Sequence, residues 1–159
     1  MTEIVNVFAD EWEDLFPPVE GWLSNVRRIA PGRALGMSVY ELLPKQTQCP
    51  YHFHYGTEEL ALVLQGRPTL RTPDGEVELA PGDAVHFGTG PDGAHQMINR
   101  TDEPVRYVVA AANISPEVVE YPDSGKVGAG ARGQFSSMHR LADAVDYFDG
   151  EEPKIPSTA

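Results

Sequence analysis

The sequence predicts an all-β fold, an antiparallel sandwich or closed barrel of short strands. Between residues 33 and 112 it consists of short β-prone runs separated by turn signals, a spacing typical of sandwiches and barrels. The chain also holds 15 glycines and 14 prolines among its 159 residues, so it is rich in turns. Because 41% of the residues are hydrophobic, one domain of this length has enough apolar material to bury a core.

Seven strands are predicted in this central part, which we assign to a core over residues 33–112. They span residues 34–43, 58–65, 68–72, 76–79, 84–87, 94–99 and 105–112. Pro73, Asp74 and Gly75 separate the third run from the fourth, and an Asp-Gly pair that can adopt positive φ predicts a tight hairpin there.

The N-terminal residues 1–32 are predicted to form an arm that packs on this core. Residues 9–16 are acidic and carry Trp12, Leu15 and Phe16, enough for one or two helical turns.

The C-terminal residues 113–159 are predicted to form a second arm that ends in a docked helix. Four apolar residues there are spaced at i, i+3, i+4 and i+7, which is one stripe of a helix. They are Leu141, Ala144, Val145 and Phe148. Ser136 or Ser137 could cap this helix. The glycine-rich residues 121–133 before it are expected to be a flexible arm or a loop that lies over another part of the molecule.

The charge and the cysteine count exclude several classes of protein. With 24 acidic and 12 basic residues the net charge is −12, which disfavours nucleic acids and anionic membrane surfaces as partners. No basic N-terminal region precedes an apolar stretch, and no window approaches the roughly 20 apolar residues of a spanning helix. Cys49 is the single cysteine, so an internal disulfide and a cysteine-rich zinc site are excluded. We expect a soluble, cytoplasmic protein.

A cluster of histidines and carboxylates is the candidate functional site. His52 and His54 are two residues apart, so in a strand their side chains lie on one face. The next strand begins with Glu58 and Glu59, which point to opposite faces, so one of them can return to the same place. His95 on a later strand is a further candidate.

Three imidazoles and one carboxylate form a mixed nitrogen and oxygen ligand set. Such a set suits iron, manganese, zinc, nickel or copper, and it suits calcium or magnesium poorly. The alternative interpretation is that the two neighbouring histidines are ordinary side chains on a polar sheet face.

These residues resemble the two sequence motifs of the cupins, which are small metal-binding β-barrels. The first motif is Gly-x5-His-x-His-x3-4-Glu-x6-Gly, and residues 52–66 fit its second half, with Glu59 as the glutamate and Gly66 as the final glycine. The second is Gly-x5-Pro-x-Gly-x2-His-x3-Asn, which residues 91–99 resemble with one residue fewer before His95. Two departures are Gln46 in place of the leading glycine and a longer loop before Pro91.

The resemblance covers roughly residues 34–112 and implies a double-stranded antiparallel β-barrel, the cupin jelly roll. It is nearest to small single-domain cupins with a Tyr-Pro-Asp-Ser-Gly-Lys stretch, which residues 121–126 match. It implies a divalent ion, iron, manganese, zinc or nickel, held by His52, His54, Glu59 and His95, and commonly a homodimer.

Four further residues are predicted to contact a small-molecule ligand: Tyr55, Arg71, Met97 and Asn99. Three of them have an alternative role. Tyr55 could belong to the core, Arg71 could pair with one of the many acidic residues, and Asn99 could stabilise a turn.

Other polar residues are interpreted as structural. His86 is expected on the face opposite the cluster, or at a subunit contact. Cys49 is expected to be a buried, inert thiol, with a thiolate at the pocket edge as the alternative, and Arg106 is expected to be paired with an acidic residue.

The sequence predicts a metal-dependent enzyme acting on a small oxygen-rich molecule, of isomerase, lyase or dioxygenase type. No general base can be assigned, so the reaction stays open. The alternative is a module that binds a sugar or another metabolite without turnover.

Overall fold

The fold is built almost entirely from antiparallel strands. The computed structural model describes residues 4–13, 19–23, 25–31 and 34–154. The strands are β1 Asn25–Pro31, β2 Leu35–Leu42, β3 Phe53–His54, β4 Glu59–Gln65, β5 Thr69–Thr72, β6 Gly75–Glu78, β7 Ala84–Phe87, β8 Gln96–Ile98, β9 Val105–Ala112, β10 Glu117–Tyr121, β11 Lys126–Ala131 and β12 Phe135–Arg140. Single 3-10 turns are formed by Pro91–Gly93, Pro122–Ser124 and Leu141–Asp143. No helix in these ranges is long and apolar enough to cross a membrane.

The strands form three antiparallel sheets. Their orders are β1-β2-β9-β4-β7, β12-β11-β10-β3 and β6-β5-β8. All seven strands predicted from the alternating runs are present with small shifts at their ends, and the all-β fold of the jelly-roll type is confirmed. The hairpin predicted at Gly75 is also present, because Thr72 pairs with Gly75 across a two-residue turn.

The hydrophobic core follows the period of two along the strands. On β4, Ala61 and Val63 are buried, and on β9, Val105, Tyr107 and Val109 enter the same cluster. Successive side chains of a strand point to opposite faces, so this alternation turns one face of each strand inward. Each fully buried aliphatic side chain stabilises the fold by about 1.5–3 kcal/mol.

Arg106 on β9 lies on the face opposite this cluster and is buried. Its guanidinium donates hydrogen bonds to Glu41 and Asp10. The guanidinium also stacks over the ring of Trp12, 4.9 Å from its centroid. The pairing predicted for Arg106 is therefore confirmed, and it ties the N-terminal segment to the sheet.

The predicted C-terminal helix is wrong. Ser136 and Ser137 belong to β12, which pairs with β11 along its whole length, so they do not cap a helix. Only a single 3-10 turn follows. The apolar residues of the predicted stripe do not dock on the core, since Val145 and Phe148 are exposed. Pairing with a neighbouring strand satisfies the backbone groups of this segment without a helix.

Two other expectations for the flanking segments need correction. Residues 121–133 are neither a flexible arm nor a covering loop, because most of them form the end of β10 and the strand β11. Residues 9–13 form no helix. Leu15, Phe16 and Arg33 lie outside the described residues. The division at residues 33 and 112 stays a prediction, although β10 pairs directly with β3 of the central segment.

Candidate metal centre

Two strand pairings bring the histidine cluster together. His52 and His95 form an isolated antiparallel bridge, with backbone hydrogen bonds of 3.2 and 2.9 Å in the two directions. This bridge places two residues that are 43 positions apart in sequence side by side. His54 lies on β3, which pairs with β10 at Val119. Phe53 points away from the histidines and packs in a separate buried cluster, as the alternation of a strand requires.

All four predicted ligand residues lie close together. One ligand atom each of His52, His54 and Glu59 lies within 4.8 Å of the others. His95 joins this group because its Nε2 atom is 3.2 Å from Oε2 of Glu59. The imidazole centroids of His52 and His95 are 4.6 Å apart. The arrangement therefore collects three imidazoles around one carboxylate.

Backbone carbonyls orient two of the three imidazoles. Nδ1 of His52 is 3.0 Å from the carbonyl oxygen of Pro50, and Nδ1 of His95 is 2.9 Å from that of Gly93. A carbonyl only accepts, so each Nδ1 carries the proton and donates it. In a neutral ring with this tautomer the lone pair lies on Nε2, as metal-ligating histidines require.

Electrostatics favours a neutral histidine beside a carboxylate anion. Burial, together with the neighbouring His95 and His54, lowers the pKa of His52 to about 4. Burial alone would raise the pKa of Glu59, but the close approach of His95 and of the other two imidazoles outweighs it, so that pKa is lowered. At neutral pH His52 therefore presents an imidazole lone pair beside a negative oxygen, and such donors fit a divalent transition ion.

Glu58 and His86 lie outside this cluster. Their side chains are largely exposed, with His86 Nε2 3.6 Å from Glu58 Oε2. Glu59, which the motif spacing favoured, is the glutamate that turns inward. The placement expected for His86, away from the cluster, agrees with this geometry.

The local structure explains why the motif positions 66 and 93 are glycines. Gly66 has a φ of +77°, and a Cβ atom there would lie 2.7 Å from the side chain of Val105. A Cβ atom on Gly93 would lie 1.8 Å from the carbonyl oxygen of Gly88. No other residue fits the loop that presents His95, because any side chain at position 93 would displace its backbone.

A family model matches this same region of the chain. Residues 38–111 match the family model described as the cupin domain. The chain carries a cupin domain. The matched part includes all four clustered residues, while the strands β10–β12 lie beyond it. Among curated proteins, none matches this chain in sequence.

Solved structures of cupins resemble this one. A candidate sugar phosphate isomerase from Acidithiobacillus ferrooxidans is 28% identical, with a TM-score of 0.66 and 72% of each chain covered. A cupin-superfamily sugar phosphate isomerase from Silicibacter pomeroyi is 25% identical, with a TM-score of 0.66 and 73% of each chain covered. The polyketide cyclase RemF from Streptomyces resistomycificus shares the fold, with 23% identity and a TM-score of 0.58. Its match covers 72% of this chain and 81% of RemF.

Two of the predicted ligand-contact residues are part of the interior. Met97 is buried in the main hydrophobic cluster of the cupin core. Asn99 is fully buried, and its amide donates to the carbonyl oxygens of Leu42 and Glu103. Its own oxygen accepts hydrogen bonds from the backbone and hydroxyl of Thr101. Every polar atom of Asn99 is thus engaged in holding a turn, which is the alternative role that the sequence left open.

The other two, the exposed Tyr55 and the half-buried Arg71, are paired with carboxylates. Tyr55 donates a hydrogen bond from its hydroxyl to Glu120, 2.8 Å away. Arg71 forms a bidentate pair with Asp123 at 2.6 and 2.9 Å and lies over the ring of Tyr51. Ligand contact by these two side chains stays a prediction.

Three residues near the cluster were missed or misread from the sequence. The ring of Phe87 stacks on His95 with centroids 3.7 Å apart, and Tyr121 stacks on His52. Glu117 lies 3.8 Å from Nδ1 of His54. Phe87 was recognised only as an apolar position. Tyr121 and Glu117 reach the site through pairing of β10 with β3, for which no local pattern exists.

Cys49 is inert in this setting. Burial, with a smaller contribution from the Glu59 carboxylate, raises the pKa of its thiol to about 12. Its Sγ atom lies 3.5 Å from Nδ1 of His52. The interpretation as a buried thiol therefore agrees with the structure, since only a thiolate would be a nucleophile or a strong ligand.

Proposed function

We propose that this chain is a divalent-metal cupin that binds a small oxygen-rich molecule at the ion. His52, His54, Glu59 and His95 would hold the ion. The observation that carries the proposal is the pair of carbonyl contacts at Nδ1 of His52 and His95, which leave both Nε2 lone pairs free beside the Glu59 carboxylate.

The ion we expect is iron, manganese, zinc or nickel, as the donor set suits. When bound, it supplies Lewis-acid chemistry for isomerisation or decarboxylation, or dioxygen activation if it is iron. The chain's own contribution is to orient the imidazoles and to keep the cluster partly out of water. His54 and Glu59 are both less than one-fifth exposed.

Isomerisation of a polyhydroxylated, sugar-like molecule is the reaction we favour, with lyase and dioxygenase reactions as alternatives. It is supported by the names of the two solved cupins at 28% and 25% identity. A phosphate ester is less well supported, because Arg71 and Arg106 are already paired with carboxylates. We therefore favour an uncharged hydroxylated ligand over its phosphate.

Binding without turnover is the second candidate function. It is favoured by the surroundings of Glu117, a carboxylate beside the cluster. Its two oxygens accept three hydrogen bonds, so it is held as a structural group rather than as a free base. Turnover of any of the sugars tested below would contradict this alternative.

Metal analysis tests the proposal directly. The purified chain should contain close to one equivalent of a transition ion per chain, and His52→Ala or His95→Ala should lose most of it. His86→Ala is the matched control, because His86 is an exposed histidine outside the cluster, and it should keep the ion. A wild-type chain that binds none of the four ions, with unchanged stability in the variants, would overturn the proposal.

The metal found decides the activity assay. With zinc, manganese or nickel, aldoses and ketoses are assayed for interconversion, and with iron, oxygen consumption is measured with small acids, thiols and phenols. Binding of a sugar with no conversion would support the non-catalytic alternative.

We also propose that the chain forms a homodimer in the cytoplasm. The dimer rests on the resemblance to cupins, and the location on the single cysteine, which makes no disulfide. Light scattering should report twice the chain mass of 17.4 kDa. A mass of one chain at micromolar concentration would contradict the dimer.

A further inference from the structure

His54 differs from the other two clustered histidines. His52 and His95 each have Nδ1 satisfied by a backbone carbonyl. Nδ1 of His54 has no hydrogen-bond partner. Among the buried side-chain nitrogen and oxygen atoms in the described part of the chain, it alone lacks one. Buried polar atoms are nearly always paired in folded proteins, so this atom needs an explanation.

Glu117 is the group that faces this nitrogen. Its Oε1 atom lies 3.8 Å from Nδ1 of His54, beyond hydrogen-bond length but within ion-pair range. On the other side of the ring, Nε2 of His54 lies 3.7 Å from Oε2 of Glu59. The imidazole is therefore located between two carboxylates, one at each nitrogen.

Glu117 is held rigidly in that position. The backbone N–H groups of Gly56 and Val118 donate to its Oε1, each at 3.1 Å. The hydroxyl of Thr57 donates to its Oε2 at 2.6 Å. Glu117 also begins β10, and Val119 of that strand pairs with His54. The same strand thus positions both the carboxylate and the backbone of the histidine that it faces.

We propose that Glu117 is the positioning residue for His54 and accepts a hydrogen bond from its Nδ1–H group when a metal ion binds at Nε2. This inference rests on the proposed function. An imidazole with its proton on Nδ1 has its lone pair on Nε2, the nitrogen that faces Glu59. A carboxylate partner fixes that tautomer and increases the basicity of the ligand nitrogen. In this way β10, outside the matched cupin region, completes the metal centre.

Cobalt affinity of Glu117→Gln tests the role. We expect the dissociation constant for Co²⁺, measured against a competing chelator, to rise by about 10–100-fold, with a shift in the visible spectrum of the bound cobalt. Glu120→Gln is the matched control. It lies on the same strand, and its carboxylate accepts the Tyr55 hydroxyl rather than facing a ligand histidine. It should leave cobalt affinity within about twofold of wild type.

A second measurement begins with the wild-type chain, and that part does not depend on the folding of a variant. In the zinc-loaded, ¹⁵N-histidine-labelled chain, the Nδ1 proton of His54 should be observed and shifted downfield, as for a proton donated to a carboxylate. In Glu117→Gln it should move upfield, while the Nδ1 protons of His52 and His95 stay in place. A purely structural role would lower thermal stability and leave these proton shifts unchanged.

Two results separate this inference from the function on which it depends. Wild-type chain that binds neither Co²⁺ nor Zn²⁺ contradicts the metal centre itself. Wild-type chain that binds Co²⁺ tightly while Glu117→Gln binds equally well, or one that lacks a His54 Nδ1 proton when loaded with zinc, overturns the role of Glu117 alone.

Discussion

The ring of Tyr121 stacks on the imidazole of His52, with centroids 6.0 Å apart and 24° between the planes. His52 belongs to the matched cupin region and Tyr121 to the strand that follows it. This contact contributes to the burial that lowers the pKa of His52 to about 4. Strand β10 thus acts on the electrostatics of the cluster as well as on its shape.

Removal of the Tyr121 ring should raise the pKa of His52. In the metal-free chain, Tyr121→Ala admits water to the imidazole, so we expect its pKa to move from about 4 towards its ordinary value of 6.5. The shift is measured by NMR titration of the histidine ring protons. Tyr55→Ala is the control, since Tyr55 is exposed and contacts Phe53 and Glu120. An equal shift in both variants would contradict the role of Tyr121.

The same low pKa makes the metal-free fold sensitive to acid. His52 is neutral in the folded chain, whereas an unfolded imidazole takes up a proton near its ordinary value of 6.5. The free energy of unfolding should therefore fall as the pH drops from 6.5 towards about 4, which urea unfolding with chelator present would measure. The lowered pKa of Glu59 acts in the same direction at more acidic pH. His52→Asn should flatten the profile, and His86→Asn should keep it.

Asn99 should prove essential to stability rather than to ligand binding. Asn99→Asp replaces an amide that donates to two buried carbonyls with an oxygen that only repels them. We expect a loss of roughly 3–5 kcal/mol in the free energy of unfolding, measured by urea denaturation. The control is Asp102→Asn, an exposed position in the same turn, which should change stability by less than about 1 kcal/mol. A folded, equally stable Asn99→Asp would contradict the structural role.

Gly66 and Gly82 both have a positive φ, so a comparison of the two separates the cost of backbone strain from the cost of steric crowding. Gly66→Ala meets Val105 and the carbonyl oxygen of Pro104, in addition to the unfavourable positive φ. Gly82 has a φ of +95°, but its Cβ would meet no atom within 4 Å. We expect Gly66→Ala to cost about 2–5 kcal/mol and Gly82→Ala about 1–2 kcal/mol, measured by thermal and urea unfolding. Equal costs would show that crowding at Gly66 is negligible.

Local patterns were sufficient for the central strands and for grouping the four candidate metal ligands. An alternating run such as Glu59–Gln65 specifies its own buried face, because successive side chains of a strand point in opposite directions. The His-x-His pair and the later Glu59 and His95 could likewise be read as one cluster. The side chains themselves restrict the chemistry there to that of nitrogen and oxygen donors.

The C-terminal strands could not be predicted in this way. A helix that begins at Ser136 or Ser137 fits the local pattern of apolar residues. Both serines instead belong to β12, which pairs with β11. The flexible arm predicted over residues 121–133 became a strand for the same reason. Backbone pairing in the hairpin of β11 and β12 outweighed the local helical periodicity.

The sequence by itself determined the β-rich fold and the chemical nature of the candidate metal ligands, because strand alternation, turn chemistry and ligand type are properties of neighbouring residues. Only the tertiary structure decided which residues surround those ligands. Tyr121 reaches His52, and Glu117 reaches His54, through the pairing of β10 with β3. That pairing joins segments more than 60 positions apart, and its register depends on the packing of the whole sheet rather than on any nearby residue.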